Sequence, residues 1–178
     1  MTTSLVLLSD THLPKRAKDL PPELWADIAS ADLVVHAGDW VDLATVNLLQ
    51  ERSRDLLAVR GNNDHGFEDR LPLVATRRVE DLRFAVVHET GAATGRERRA
   101  VLDHPDVDVL VFGHSHIPWD STAANGMRLL NPGSPTDRRR QPDHTWMRCT
   151  VDGADLRVSL VRRAPGADDV RVVPSTPA

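Results

Sequence analysis

Five short apolar runs in this sequence each end in side chains that could hold a metal. Leu5–Leu8 leads into Ser9-Asp10-Thr11-His12, and Leu33–Val35 leads into His36-Ala37-Gly38-Asp39. Leu56–Val59 leads into Arg60-Gly61-Asn62-Asn63-Asp64, Phe84–Val87 into His88-Glu89, and Val109–Phe112 into Gly113-His114-Ser115-His116. Asp10, His12, Asp39, Asn62, His88, His114 and His116 offer imidazole nitrogens with carboxylate and amide oxygens, and no sulfur. That donor set suits divalent transition ions: manganese, iron, zinc, cobalt or nickel. It is too large for one tetrahedral ion. Two ions sharing a carboxylate would use it all, and Asp39 is the natural bridge. Taken singly, Asp-x-His and Gly-Asp recur by chance, and Asn62-Asn63-Asp64 reads as a turn. His114-x-His116 is more specific. The common placement of all of them carries the inference.

The runs are four to seven residues long and rich in valine and leucine, as buried strands are. Ser4–Leu8, Asp32–His36, Leu56–Val59, Leu82–His88 and Val107–Phe112 are expected strands. Helical spacing lies between them, in Glu23–Ala29 and in Asp42–Glu51, where Asp42 is a capping residue. Thr94 and Glu97 suggest a capping box ahead of Ala100, Val101 and Leu102. Strand and helix in alternation give an α/β fold, with ligand side chains past the C-terminal ends of strands. Gly38, Gly61 and Gly113, each just ahead of a ligand, would let the chain turn sharply there. After about residue 117 the pattern turns antiparallel, with hairpins at Asn125-Gly126 and Asp152-Gly153. One domain over residues 1–163 is expected, then a loosely ordered tail over 164–178, in which Val170–Val173 could add an edge strand.

With 178 residues, 40% apolar and 27% charged, the chain is long enough for one well-buried core. A formal net charge of −4 argues against a dedicated nucleic-acid surface or an anionic-membrane binder. A single cysteine, Cys149, excludes an intrachain disulfide and a thiolate zinc site. The N-terminus does not read as a signal peptide, and no stretch approaches a membrane span. A soluble cytoplasmic protein is expected.

The ordered set Asp10-x-His12, Gly38-Asp39, Gly61-Asn62, His88 and Gly113-His114-x-His116 resembles the signature of calcineurin-like metallophosphoesterases. With the turn Asn131-Pro132-Gly133-Ser134, the short chain is most similar to their small YfcE-like phosphodiesterase branch. The resemblance spans roughly residues 4–160. It implies two sheets packed face to face with helices outside, a four-layer β-sandwich. It implies a first ion on Asp10, His12 and His116, a second on Asn62, His88 and His114, and Asp39 between them. Two such ions, manganese first among the candidates, would lower the pKa of a shared water and clamp an in-line attack on phosphorus. The expected activity is that of a phosphodiesterase on a small diester, a cyclic nucleotide among them. A non-catalytic scaffold, as in a eukaryotic retromer subunit of this fold, is the alternative, with a phosphomonoesterase or nuclease behind it. Relatives often form homo-oligomers.

Departures from the family pattern matter. Asn63 stands where relatives carry histidine or cysteine, and an amide donates a hydrogen bond but delivers no proton near neutral pH. His65 is a candidate substitute acid or, more simply, an exposed loop histidine. Asp64 matches an acidic position expected to orient its neighbours. Glu89 replaces a usual glycine after His88 and reads as a supporting carboxylate, a solvated side chain, or a clash that weakens the second ion. Arg138-Arg139-Arg140 and Arg96, Arg98 and Arg99 read as solvated charges, the first run also as a phosphate contact. Trp40 and Trp119 are either cleft rim or core. His36 reads as packing beside the site, and Cys149 as a buried hydrophobe.

Overall fold

Apolar side chains at every position of a strand need cover on both faces. Leu5-Val6-Leu7-Leu8 is such a run, and its two faces enter different cores. Leu5 and Leu7 pack with Val35, Phe84, Val86, Val111 and Met147. Val6 and Leu8 pack with Leu24, Ile28, Val34 and Leu49. The structure, a computed structural model, describes residues 1–177. The chain runs β1 (Thr2–Leu8), α1 (Pro22–Ser30), β2 (Leu33–His36), α2 (Leu43–Arg52), β3 (Leu56–Ala58), β4 (Val74–Val79) and β5 (Leu82–Val87). It continues with α3 (Arg96–Asp103), β6 (Val109–Val111), β7 (Trp119–Thr122), β8 (Arg128–Asn131), β9 (His144–Asp152), β10 (Asp155–Arg163) and β11 (Arg171–Pro174).

The strands form a 6-stranded sheet, β11-β10-β9-β1-β2-β3, and a 5-stranded sheet, β4-β5-β6-β8-β7. The two face each other across the Leu5–Phe84 core. Helices α1 and α2 cover the outer face of the larger sheet through Leu24, Ile28, Val46 and Leu49. Helix α3 covers the smaller sheet, with Ala100 against Ala85, Leu110 and Leu129. This is the expected α/β sandwich with helices on both outer faces. β1, β2 and β3 run parallel, as do β5, β6 and β8, so each set ends at one edge.

Local signals held unevenly. The Asp42 carboxylate accepts a hydrogen bond from Ala44 N at 2.9 Å and caps α2. The expected Thr94–Glu97 box does not form. Gly95 is the N-cap of α3, with no side-chain cap. Glu97 instead accepts the Ser121 hydroxyl at 2.9 Å, and Arg99 takes the Thr94 carbonyl at 2.8 Å. A tertiary partner thus takes the Glu97 carboxylate. β4 had no clear signal, because it is an edge strand with charged Arg77 and Arg78 and only Val79 buried. Past Arg163, β11 pairs antiparallel with β10 from Arg171 to Pro174. No helix among the described residues is long and apolar enough to cross a membrane.

Phe84 is fully buried where the two sheets meet. Phe84→Ala should cost about 3–5 kcal/mol of unfolding free energy in urea titrations.

Candidate metal centre

The loops past β1, β2, β3, β5 and β6 converge on one point. Asp10 N donates to Gly38 O at 2.9 Å, His12 N to Asp39 O at 3.0 Å, and Gly113 N to His88 O at 3.0 Å. Asp10, His12, Asp39, His114 and His116 hold left-handed backbone, with φ between 44° and 69°. Residues with a Cβ resist that region, at a cost on the order of 1–3 kcal/mol each, so the surrounding structure must impose it. Of the three glycines, only Gly38 turns at positive φ, 89°. Gly61 and Gly113 serve close approach instead. A Cβ on Gly113 would sit 2.8 Å from Asp10 Oδ2, and one on Gly61 would run into Asp39.

Two braces set these loops. The buried Asp64 carboxylate accepts four backbone amides. Its Oδ1 takes Trp40 N (2.7 Å) and Val41 N (2.8 Å). Its Oδ2 takes Asp39 N (2.9 Å) and Gly61 N (2.6 Å). The turn at Asn131–Ser134 is the second brace. Asn131 Nδ2 donates to Gly113 O at 2.8 Å, and Ser134 Oγ to Asp10 O at 2.8 Å.

Asp39 stands at the middle. Its Oδ2 lies 3.5 Å from His12 Nε2, and its Oδ1 lies 3.4 Å from His88 Nε2. On the His12 side, Asp10 Oδ1 is 3.4 Å from His116 Nε2, and the His12 and His116 Nε2 atoms are 3.3 Å apart. Ligand atoms of Asp10, His12 and His116 all lie within 4.8 Å of one another, as do those of Asp10, Asp39 and His88. On the other side, Asn62 Oδ1 is 3.0 Å from His88 Nε2 and 2.9 Å from His114 Nδ1. The first group is buried, while Asn62 and His114 face solvent. All seven expected ligand residues thus meet at one centre.

The electrostatics suit a cation. Asp10 and Asp39 are buried, and among the described residues no arginine or lysine pairs with either. Burial pushes the Asp10 carboxyl well above its usual range, against the Ser9 hydroxyl that favours its charge. Burial also lowers His12, and it lowers His116 to about 4, so both rings stay neutral with a lone pair to offer. Ring orientation is supplied from behind: His88 Nδ1 sits 2.7 Å from Ala37 O, and His116 Nδ1 bonds to Asp137 O. Buried carboxylates without a counter-cation, beside neutral imidazoles, fit divalent metal.

A family model for the calcineurin-like phosphoesterase superfamily domain matches residues 4–154. The chain belongs to that superfamily. It is 33% identical over 138 residues to a probable metallophosphoesterase of Methanocaldococcus jannaschii, covering 76% of this chain and 69% of that one. A probable metallophosphoesterase of Methanothermobacter thermautotrophicus is 31% identical over 160 residues, covering 88% and 90%. The fold matches Vps29 of Chaetomium thermophilum at TM-score 0.84, with 23% identity and coverage of 99% and 98%. A predicted phosphoesterase of Streptococcus pneumoniae shares the fold at TM-score 0.69, with 17% identity and coverage of 98% and 99%.

The remaining residues of this phosphoesterase domain find plainer places. Asn63 turns toward Asp39, donating from Nδ2 to Oδ2 at 2.6 Å and from N to Oδ1 at 2.9 Å. His65 is exposed on the turn. His36 is buried, stacks on Trp40 at 3.4 Å and accepts Gly38 N at Nδ1, and burial holds it neutral. Trp40 is therefore core rather than cleft rim. Arg96 lies between the Phe112 and Trp119 rings, and Arg99 ties down the carbonyls of Thr90, Ala92 and Thr94. Arg139 is exposed, yet its charge reaches Asp10, His12 and His116. Cys149 is buried, and burial pushes its thiol up. The Ala37 and Asp137 carbonyls escape sequence reading, because any residue supplies a carbonyl.

Asp64→Ala should unfold at lower urea concentration, by at least about 3 kcal/mol, since four backbone amides, three of them in buried bonds, lose their acceptor. It should also lose metal uptake measured by equilibrium dialysis. In chelator, the protein should lose thermal stability as pH falls from about 6.5 toward 4. Unfolded histidines take up protons in that window, while burial holds His12, His36 and His116 neutral in the fold. The raised Asp10 carboxyl works the other way, as one group against three. A melting temperature that stays flat or rises across that window would overturn this account.

Proposed function

We propose that this member of the phosphoesterase superfamily is a phosphodiesterase that holds two divalent ions, with manganese the first choice. The observation that carries the reading is Asp39, whose two oxygens face separate histidines, His12 and His88. Asp10, His12 and His116 would hold one ion, Asn62, His88 and His114 the other, and Asp39 would serve both. Ions so held lower the pKa of bound water and offset charge on phosphoryl oxygens. Asp64 and Asn63 fix Asp39, the one through its backbone amide and the other through its carboxylate. The open edge at Asn62 and His114 leaves room for substrate. A diester carries one negative charge and needs less electrostatic clamping than a monoester dianion. No general acid stands at Asn63, so esters with good leaving groups should react fastest.

The likeness in fold to Vps29 supports a second reading, a metal-binding scaffold. Hydrolysis of bis-p-nitrophenyl phosphate separates the two. Metal-stripped protein titrated with Mn²⁺ should gain turnover, and Asp39→Ala should lower it at least about a hundredfold. Binding of Mn²⁺ with no turnover, repeated with Fe²⁺, Zn²⁺, Co²⁺ and Ni²⁺, would overturn the enzyme reading in favour of the scaffold.

A further inference from the structure

His88 and His116 each turn Nε2 toward the centre and have Nδ1 held by a backbone carbonyl. His114 has neither this orientation nor this support. Its Nδ1 faces the centre, 2.9 Å from Asn62 Oδ1. Its outer nitrogen, Nε2, meets no carbonyl, and the polar group beside it is Glu89 Oε1 at 3.7 Å. The His114 side chain is also 45% exposed, against 5% for His88 and 0% for His116, so packing does little to hold the ring.

We propose that Glu89 is a positioning residue for His114. The two groups stand just beyond hydrogen-bond reach, so in the ion-loaded site the carboxylate would close on the Nε2 proton and keep the Nδ1 lone pair directed at the ion held with Asn62 and His88. The inference rests on the two-ion reading above. Carboxylates behind metal-ligating histidines fix the tautomer and the ring angle and raise ligand basicity. The placement also decides among the roles open to Glu89 from the sequence. Its oxygen lies against the nitrogen turned away from Asn62, so it leaves the ion's side of the ring free. Glu89 directly follows His88, whose carbonyl accepts Gly113 N at 3.0 Å, so its backbone is held close to His114.

Calorimetric titration of chelator-stripped protein with Mn²⁺ tests this, with Glu89→Ala and Glu89→Gln beside the wild type. Wild type should take up two ions. Glu89→Ala should weaken the second by about 10- to 100-fold and leave the first unchanged. Glu89→Gln should recover most of that loss, because its amide oxygen accepts the same proton. Melting temperatures of the three metal-free proteins should agree, since both side chains are half exposed and their pairing adds little to folding. A second-ion affinity in Glu89→Ala equal to or tighter than wild type would overturn the proposal. So would a Glu89→Gln variant as weak as Glu89→Ala, which would make Glu89 a source of charge rather than of position. Wild type that takes up only one ion would overturn the two-ion reading itself, and this inference with it.

Discussion

Asp10 and Asp39 are two buried carboxylates in one small space, and among the described residues no arginine or lysine pairs with either. Removing carboxylates from water without a partner is costly, and their mutual repulsion adds to it. The raised Asp10 carboxyl registers that cost. A divalent cation would relieve it, and His12 and His116, which burial holds neutral, would help to hold it. The rest of the site exists to keep these charges together when no solvent or basic residue favours doing so.

Holding them demands backbone that the chain does not adopt freely. Asp10, His12, Asp39, His114 and His116 sit in the left-handed region. The scaffold offsets this through interactions distant in sequence. Asp64 gathers amides from its own turn and from the Asp39 loop. Asn131 and Ser134 tie the Gly113 and Asp10 segments from behind. Behind these braces stand three apolar cores, one between the sheets and one under each helical layer. The strand ends are therefore rigid platforms, and strain at the ligands is local rather than shared.

The same construction serves chemistry or scaffolding equally well. The solvent edge of the centre is formed by Asn62, Asn63, Glu89 and His114. The buried half of the centre is closed and braced. The exposed half depends on a few side chains that the fold does not fully immobilise.

The strands, the helix capped by Asp42, and the gathering of ligand types at strand ends were all legible in the sequence. Each rests on short-range rules: apolar runs need burial on both faces, and parallel strands bring their C-terminal ends to one edge. The Thr94–Glu97 box misled because Ser121, remote in sequence, takes the Glu97 carboxylate and the helix is entered from Gly95 rather than Thr94. The edge strand β4 was hidden because its inward positions include Arg77, which breaks the apolar alternation of a half-buried strand. Tertiary structure alone decided that Gly61 and Gly113 provide room rather than turns, that Asn63 bonds Asp39, and that Trp40 belongs to the core. It also decided which carbonyl or carboxylate stands behind each histidine. These depend on distances between segments far apart in the chain, and spacing along a sequence does not encode the approach of one loop to another.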